Sequence, residues 1–135
     1  MSGTTIPPVS QGALRAFEAA RQSIVDQVVL RSLQRPEETA QHGDEAKELI
    51  TSGIEFTTRM LENTMPTGQT ALLEDQLAWA LDRLPHDGVA PEHLLSRFGI
   101  YDQVIAEHLE SKDAQQINRY LVWMIDRLEA MIQRE

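Results

Sequence analysis

The chain contains no cysteine, which removes disulfide scaffolds, thiolate metal sites and cysteine nucleophiles together. Lysine is scarce too: Lys47 and Lys112 stand against ten arginines. Cations are outnumbered, 12 Lys and Arg to 21 Asp and Glu, for a formal net charge of -9. Nucleic acid is therefore a poor partner, since binding it draws on clustered Lys and Arg to release counterions. Long apolar runs are missing as well. The longest, such as Val28-Val29-Leu30 and Tyr120 to Ile125, fall far short of the ~20 residues that cross a bilayer, so no membrane span is expected. Residues 1–10 show neither a basic stretch nor an apolar one after it; no signal peptide is read, and the expected compartment is the cytoplasm.

What is present is an ordinary globular composition, 41% hydrophobic and 24% charged over 135 residues. A chain of that length buries roughly 68% of its unfolded surface on folding, enough for one core. Met1 to Ser10 mixes small polar residues with Pro7-Pro8, whose fixed φ and missing N–H groups suit an extended arm; residues 1–10 are expected to form a flexible arm ahead of a single domain over 11–135. Ser10 is a plausible N-cap for a helix reaching about Gln34, with Leu14, Phe17, Ile24, Val25, Val28 and Leu33 as its apolar stripe. Pro36 to Gln41 reads as a short connector helix. A long helix then runs from Asp44 to about Met65, with Leu49, Ile50, Ile54, Leu61 and Met65 on one side. Another spans Gln69 to Leu84, burying Leu73, Leu77, Ala80, Leu81 and Leu84.

Pro85-His86-Asp87-Gly88 ends it by turn chemistry. Pro91 opens a helix to about Glu110 with Leu94, Phe98, Tyr101, Ile105 and His108 as its stripe. Ser111-Lys112-Asp113 caps the last helix, where Ile117, Leu121, Met124, Leu128 and Met131 recur at alternating spacings of four and three, a heptad seam. No stretch alternates with period two, so no strand is expected. The fold class is all-α, with five main helices and one short connector.

Four histidines could bind metal or carry phosphate. None has a Glu three residues before it, as an inward di-iron pair requires. There is no His-x-x-x-His, P-loop or dinucleotide fingerprint either, and no catalytic residue is assigned. His93, in Pro91-Glu92-His93-Leu94-Leu95-Ser96-Arg97, lies on a helix of an acidic bundle as a phosphotransfer histidine would, but the residues after it do not match that pattern. Arg59, Arg83 and Arg127 lie in helices beside apolar positions, where a guanidinium buries its stem and holds a carboxylate.

The stretch Leu-Asp-Arg-Leu-Pro-His-Asp-Gly-Val-Ala-Pro-Glu-His-Leu, followed by Ile-Tyr-Asp-Gln-Val-Ile-Ala-Glu-His-Leu, all within Leu81 to Glu110, resembles the corner and long helix that follow the haem-binding helix of globins. The helix order over about residues 11–133 is similar too. The globin spacing puts the proximal haem ligand near Arg83, and the helix from Gln69 to Leu84 holds no His. Bilin attachment, as in phycobiliproteins of the same fold, needs Cys. The chain thus resembles the non-haem globin-like sensor domains at the N-terminus of bacterial stressosome scaffold proteins and related stress-signalling regulators. The resemblance implies a globin-like fold, a dimeric non-enzymatic signalling module with a downstream signalling partner, no haem, and in some relatives a fatty acid or other apolar ligand in its place. A pocket there would be lined by Phe56, Met60, Trp79, Leu84 and Phe98, with Arg59 and Arg83 at its polar edge.

A homodimer is expected on separate grounds. Tyr120 and Trp123 widen the apolar side of the last helix beyond what one intramolecular face requires. The expected contact pairs the last two helices with their counterparts through Tyr101, Tyr120, Trp123, Met124 and Arg127. Two rival readings are a histidine phosphotransfer or metal-handling bundle, using His93 or His108, and a protein-interaction module with no ligand.

Overall fold

The computed structural model describes residues 5–35, 43–83, 86 and 90–133. Among them are five α-helices and no strand: α1 (Gln11–Leu33), α2 (Ala46–Thr64), α3 (Ala71–Arg83), α4 (Pro91–His108) and α5 (Ser111–Gln133), with a 3-10 turn, Gly43–Glu45, leading into α2. The all-α class expected from the sequence is the class observed. The connector helix expected over Pro36–Gln41, and Leu84, lie outside the described residues. No helix among the described residues is long and apolar enough to cross a membrane.

The helices form two hairpins, α2–α3 and α4–α5, with α1 laid against α2 and α4. Local chemistry sets the helix starts. Ser10, in an extended conformation, accepts a hydrogen bond from the Ala13 amide through its Oγ at 3.2 Å, satisfying one of the donors every helix start leaves over. Pro91 occupies the first turn of α4, where its fixed φ suits the helix and its absent N–H costs nothing. The stripes close on one core in which Phe17, Ile24, Ile50, Leu61, Leu73, Leu77, Phe98, Ile105 and Leu121 are all but inaccessible.

Of the arm expected over residues 1–10, residues 1–4 lie outside the described residues and residues 5–10 are bonded to the body of the domain. They form an extended strap across the α2–α3 turn and α5. Thr5 pairs with Gln69 in an isolated antiparallel bridge, the Ile6 amide donates to the Gly68 carbonyl at 2.8 Å, and the Val9 amide donates to the Met65 carbonyl at 2.9 Å. Ile6 and Val9 are buried. Reading the Pro pair as a sign of mobility missed that an extended segment with few N–H groups is easily satisfied by a turn beside it. The strap also explains why α3 starts at Ala71 rather than Gln69: the backbone at Gly68 and Gln69 pairs with the strap instead. Gly68 has φ +75, and a Cβ there would lie 1.9 Å from the Ile6 carbonyl oxygen, so a glycine is required on two counts.

Candidate functional site

Of the seven residues expected at a ligand pocket, Leu84 lies outside the described residues and the other six do not all come together. Phe56 on α2 and Trp79 on α3 do meet, ring centroids 5.9 Å apart and tilted by 49°, as the antiparallel α2–α3 hairpin requires of positions equidistant from its turn. Yet Trp79 is 55% exposed and Phe56 half-buried, so the pair lies at the surface. Met60 and Phe98 are core residues. Arg59 and Arg83 are exposed. Leu49, seven residues before Phe56 on the same face of α2, is exposed at 37%, against its expected place in the core.

The expected dimer contacts also divide. Tyr101, Tyr120 and Met124 are fully buried within the one chain, so none of them lies on its outer surface. The strap supplies the reason for Tyr120: its hydroxyl donates to the Pro7 carbonyl at 3.0 Å, with the Met65 carbonyl at 3.3 Å. The apolar width of α5 that suggested a partner is therefore taken up in part by residues 5–10. Trp123 is half-buried against the core. Arg127 is held by α3, its Nε donating to Glu74 at 2.6 Å. What remains outward on α5 is Val122, 44% exposed, with half-buried Ile125 and Ile132 beside it.

A polar clasp through the core was not foreseen. Thr58 of α2 and Tyr101 of α4 share a hydrogen bond at 2.6 Å, and Thr58 Oγ1 also donates to the Ile54 carbonyl at 2.9 Å. Burial pushes the Tyr101 phenol well above its ordinary range, against a smaller opposing effect of the Thr58 bond; Glu62 and Arg21 lie near enough to act on it. These two pair with each other at 3.0 Å, joining α1 to α2. One turn earlier on α4, Arg97 is buried at 3% exposure, and its Nη1 lies 3.3 Å from where a Cβ on Gly53 would stand. Gly53 thus makes room in α2 for a guanidinium. The sequence signals were there: a glycine in mid-helix, which costs ~1 kcal/mol against Ala, and Thr57-Thr58 in a helix interior, where hydroxyls turn back on the preceding carbonyls. On the other side of α4, Asn118 donates to both carboxylate oxygens of Asp102 at 2.7 Å, tying α5 to α4.

The histidines are spread out. His108, expected at the end of the α4 stripe, is exposed, with Nδ1 bonded to the Val104 carbonyl at 2.9 Å. It borders an open groove of about 480 Å³ between α1 and the α4–α5 corner, with Gly12, Ala16, Glu110 and Lys112. His93 has a buried Nδ1 with no hydrogen-bond partner among the described residues. No group of three or more His, Asp or Glu among the described residues is placed to hold a metal ion. Comparison with protein-family models yields no match, and comparison with curated proteins yields none either.

Proposed function

We propose that this chain is a non-enzymatic regulatory module of globin-like type, without haem, which pairs with a second copy in the cytoplasm and passes a signal to a downstream protein by shifts in helix packing. The observation that carries the reading is that the apolar side of α5 runs past the core to an exposed edge. Its inner side, Leu121, Met124 and Leu128, is buried in the chain's own core; Ile125 and Ile132 pack half-buried at the margin of that core, and Val122 beyond them is 44% exposed. A surface helix covered on one side needs only one such stripe, and apolar residues beyond it favour a partner. The Asp102–Asn118 bond holds α4 and α5 together, so a displacement of α4 would travel to that exposed edge. An apolar ligand such as a fatty acid, or a docked protein, would act by favouring one packing of α2 and α4 over another.

Sedimentation velocity over micromolar concentrations tests the pairing. Wild type is expected to sediment at twice the chain mass, and Val122→Asp to shift toward the monomer mass at the same concentration; a wild-type monomer throughout, or a Val122→Asp mass equal to that of wild type, overturns it. Native mass spectrometry of freshly purified protein is expected to show a bound lipid, and phosphodonor treatment followed by intact mass is expected to show no added phosphoryl group.

A further inference from the structure

The strap and the surface under it have the form of a peptide seated in a receptor. Pro7 and Pro8 lack N–H groups, and each remaining amide from Ile6 to Ser10 is taken by a residue far along the chain: Ile6 by the Gly68 carbonyl, Val9 by the Met65 carbonyl, and Ser10 by Gln116 Oε1 at 2.8 Å. The Pro7 carbonyl accepts from Tyr120. Ile6 and Val9 are buried. Gly68 is the floor on which the strap backbone rests, since any side chain there would collide with Ile6 and Pro8. The proline pair fixes two φ angles before docking, which lowers the ordering cost of seating the segment. The hydrogen bonds that join the strap to α1, the helix that carries it, come from Ser10, which is extended and accepts from the Ala13 amide through Oγ and from the Leu14 amide through its carbonyl.

We propose that this groove accepts the strap of a second copy, so that two chains latch each other by exchanging residues 5–10. The occupant is the one whose fit the geometry already displays. A strap seated in its own chain and one seated in a neighbour make the same bonds, so the balance between them is set by concentration and by the turn at Ser10. This goes beyond the contact proposed for α5 and uses different residues, so either can fail without the other.

The absence of cysteine makes the test clean. Thr5 and Gln69 face each other across the bridge and are both exposed; such a pair has Cβ atoms about 4.5–5.5 Å apart, near disulfide reach. Full-length Thr5→Cys is mixed with full-length Gln69→Cys under mild oxidation. The mixed dimer is expected to form severalfold more than with Gln22→Cys, an exposed position on α1 that serves as a collision control. Adding Gly68→Ala to the Gln69→Cys chain is expected to abolish the excess. A yield no greater than the control, while a chain carrying both cysteines closes on itself, overturns the proposal. Hydrogen exchange on wild type gives a second reading. The amides of Ile6 and Val9 are expected to exchange faster than that of Leu121, because the strap leaves while the body stays folded. Exchange of all three at one rate overturns the proposal as well.

Discussion

Tyr101 shows how much one hydroxyl can tie together. Its ring fills the space between α2 and α4, and its hydroxyl shares a 2.6 Å bond with Thr58, which keeps a second bond to the Ile54 carbonyl. Tyr101→Phe leaves the ring and removes the shared bond, while Thr58 still has a partner. The expected loss is about 1 kcal/mol, the net worth of a typical buried hydrogen bond, read as a lower urea midpoint with an unchanged slope. Arg97 is the less predictable neighbour. A buried guanidinium is costly to desolvate, and Gly53 is the concession that lets it in. Neither residue stood out in the sequence, where Tyr101 was one member of a stripe and Arg97 one arginine of ten. Periodicity identifies the side of a helix on which a residue lies, and says nothing of which polar groups meet across it.

The starts of α1 and α4 show where local signals suffice. Ser10 and Pro91 marked the starts of α1 and α4, because capping and N1 preferences involve a few consecutive residues. Ser10→Ala is expected to lower stability by ~1 kcal/mol and Ser10→Gly by only a few tenths, a difference that thermal or urea melts of the two variants resolve. The start of α3 was misplaced by two residues because the competing bonds come from Thr5 and Ile6, more than sixty positions earlier. Faces were misjudged for the same reason. Leu49 sits at a position the periodic stripe makes apolar and Trp79 was read as lining a pocket, but among the described residues nothing buries either of them. Tyr120 was read as surplus because the segment that covers it had been read as loose.

At the scale of the molecule, the phenols set a limit on the alkaline side. Burial raises both Tyr101 and Tyr120 above the ordinary tyrosine value. A raised folded-state value means that the neutral form is favoured by folding. Its contribution is whole below the unfolded value, about pH 10, and is lost as pH climbs past it. Urea midpoints are expected to decline above about pH 10, and less steeply in Tyr101→Phe. On the acid side, the Glu107 carboxyl is held below its ordinary value by the Arg31 hydrogen bond that joins α1 to α4. The support from that pair is present above the usual glutamate range and fades as pH falls through it, a minor effect at an exposed site. The class, the helices and most of the core were legible from spacing. The strap, the clasp and the division of the pocket residues were not, because each depends on which segments distant in the chain come to lie side by side.

The strap also has a consequence for synthesis. A ribosome delivers Pro7 long before Tyr120, 113 positions later, so residues 5–10 must wait for α5 before their seat exists. Until then two proline-joined aliphatic residues stay in water, and on a polysome every nascent neighbour offers them a competing berth as soon as its own last helix is complete.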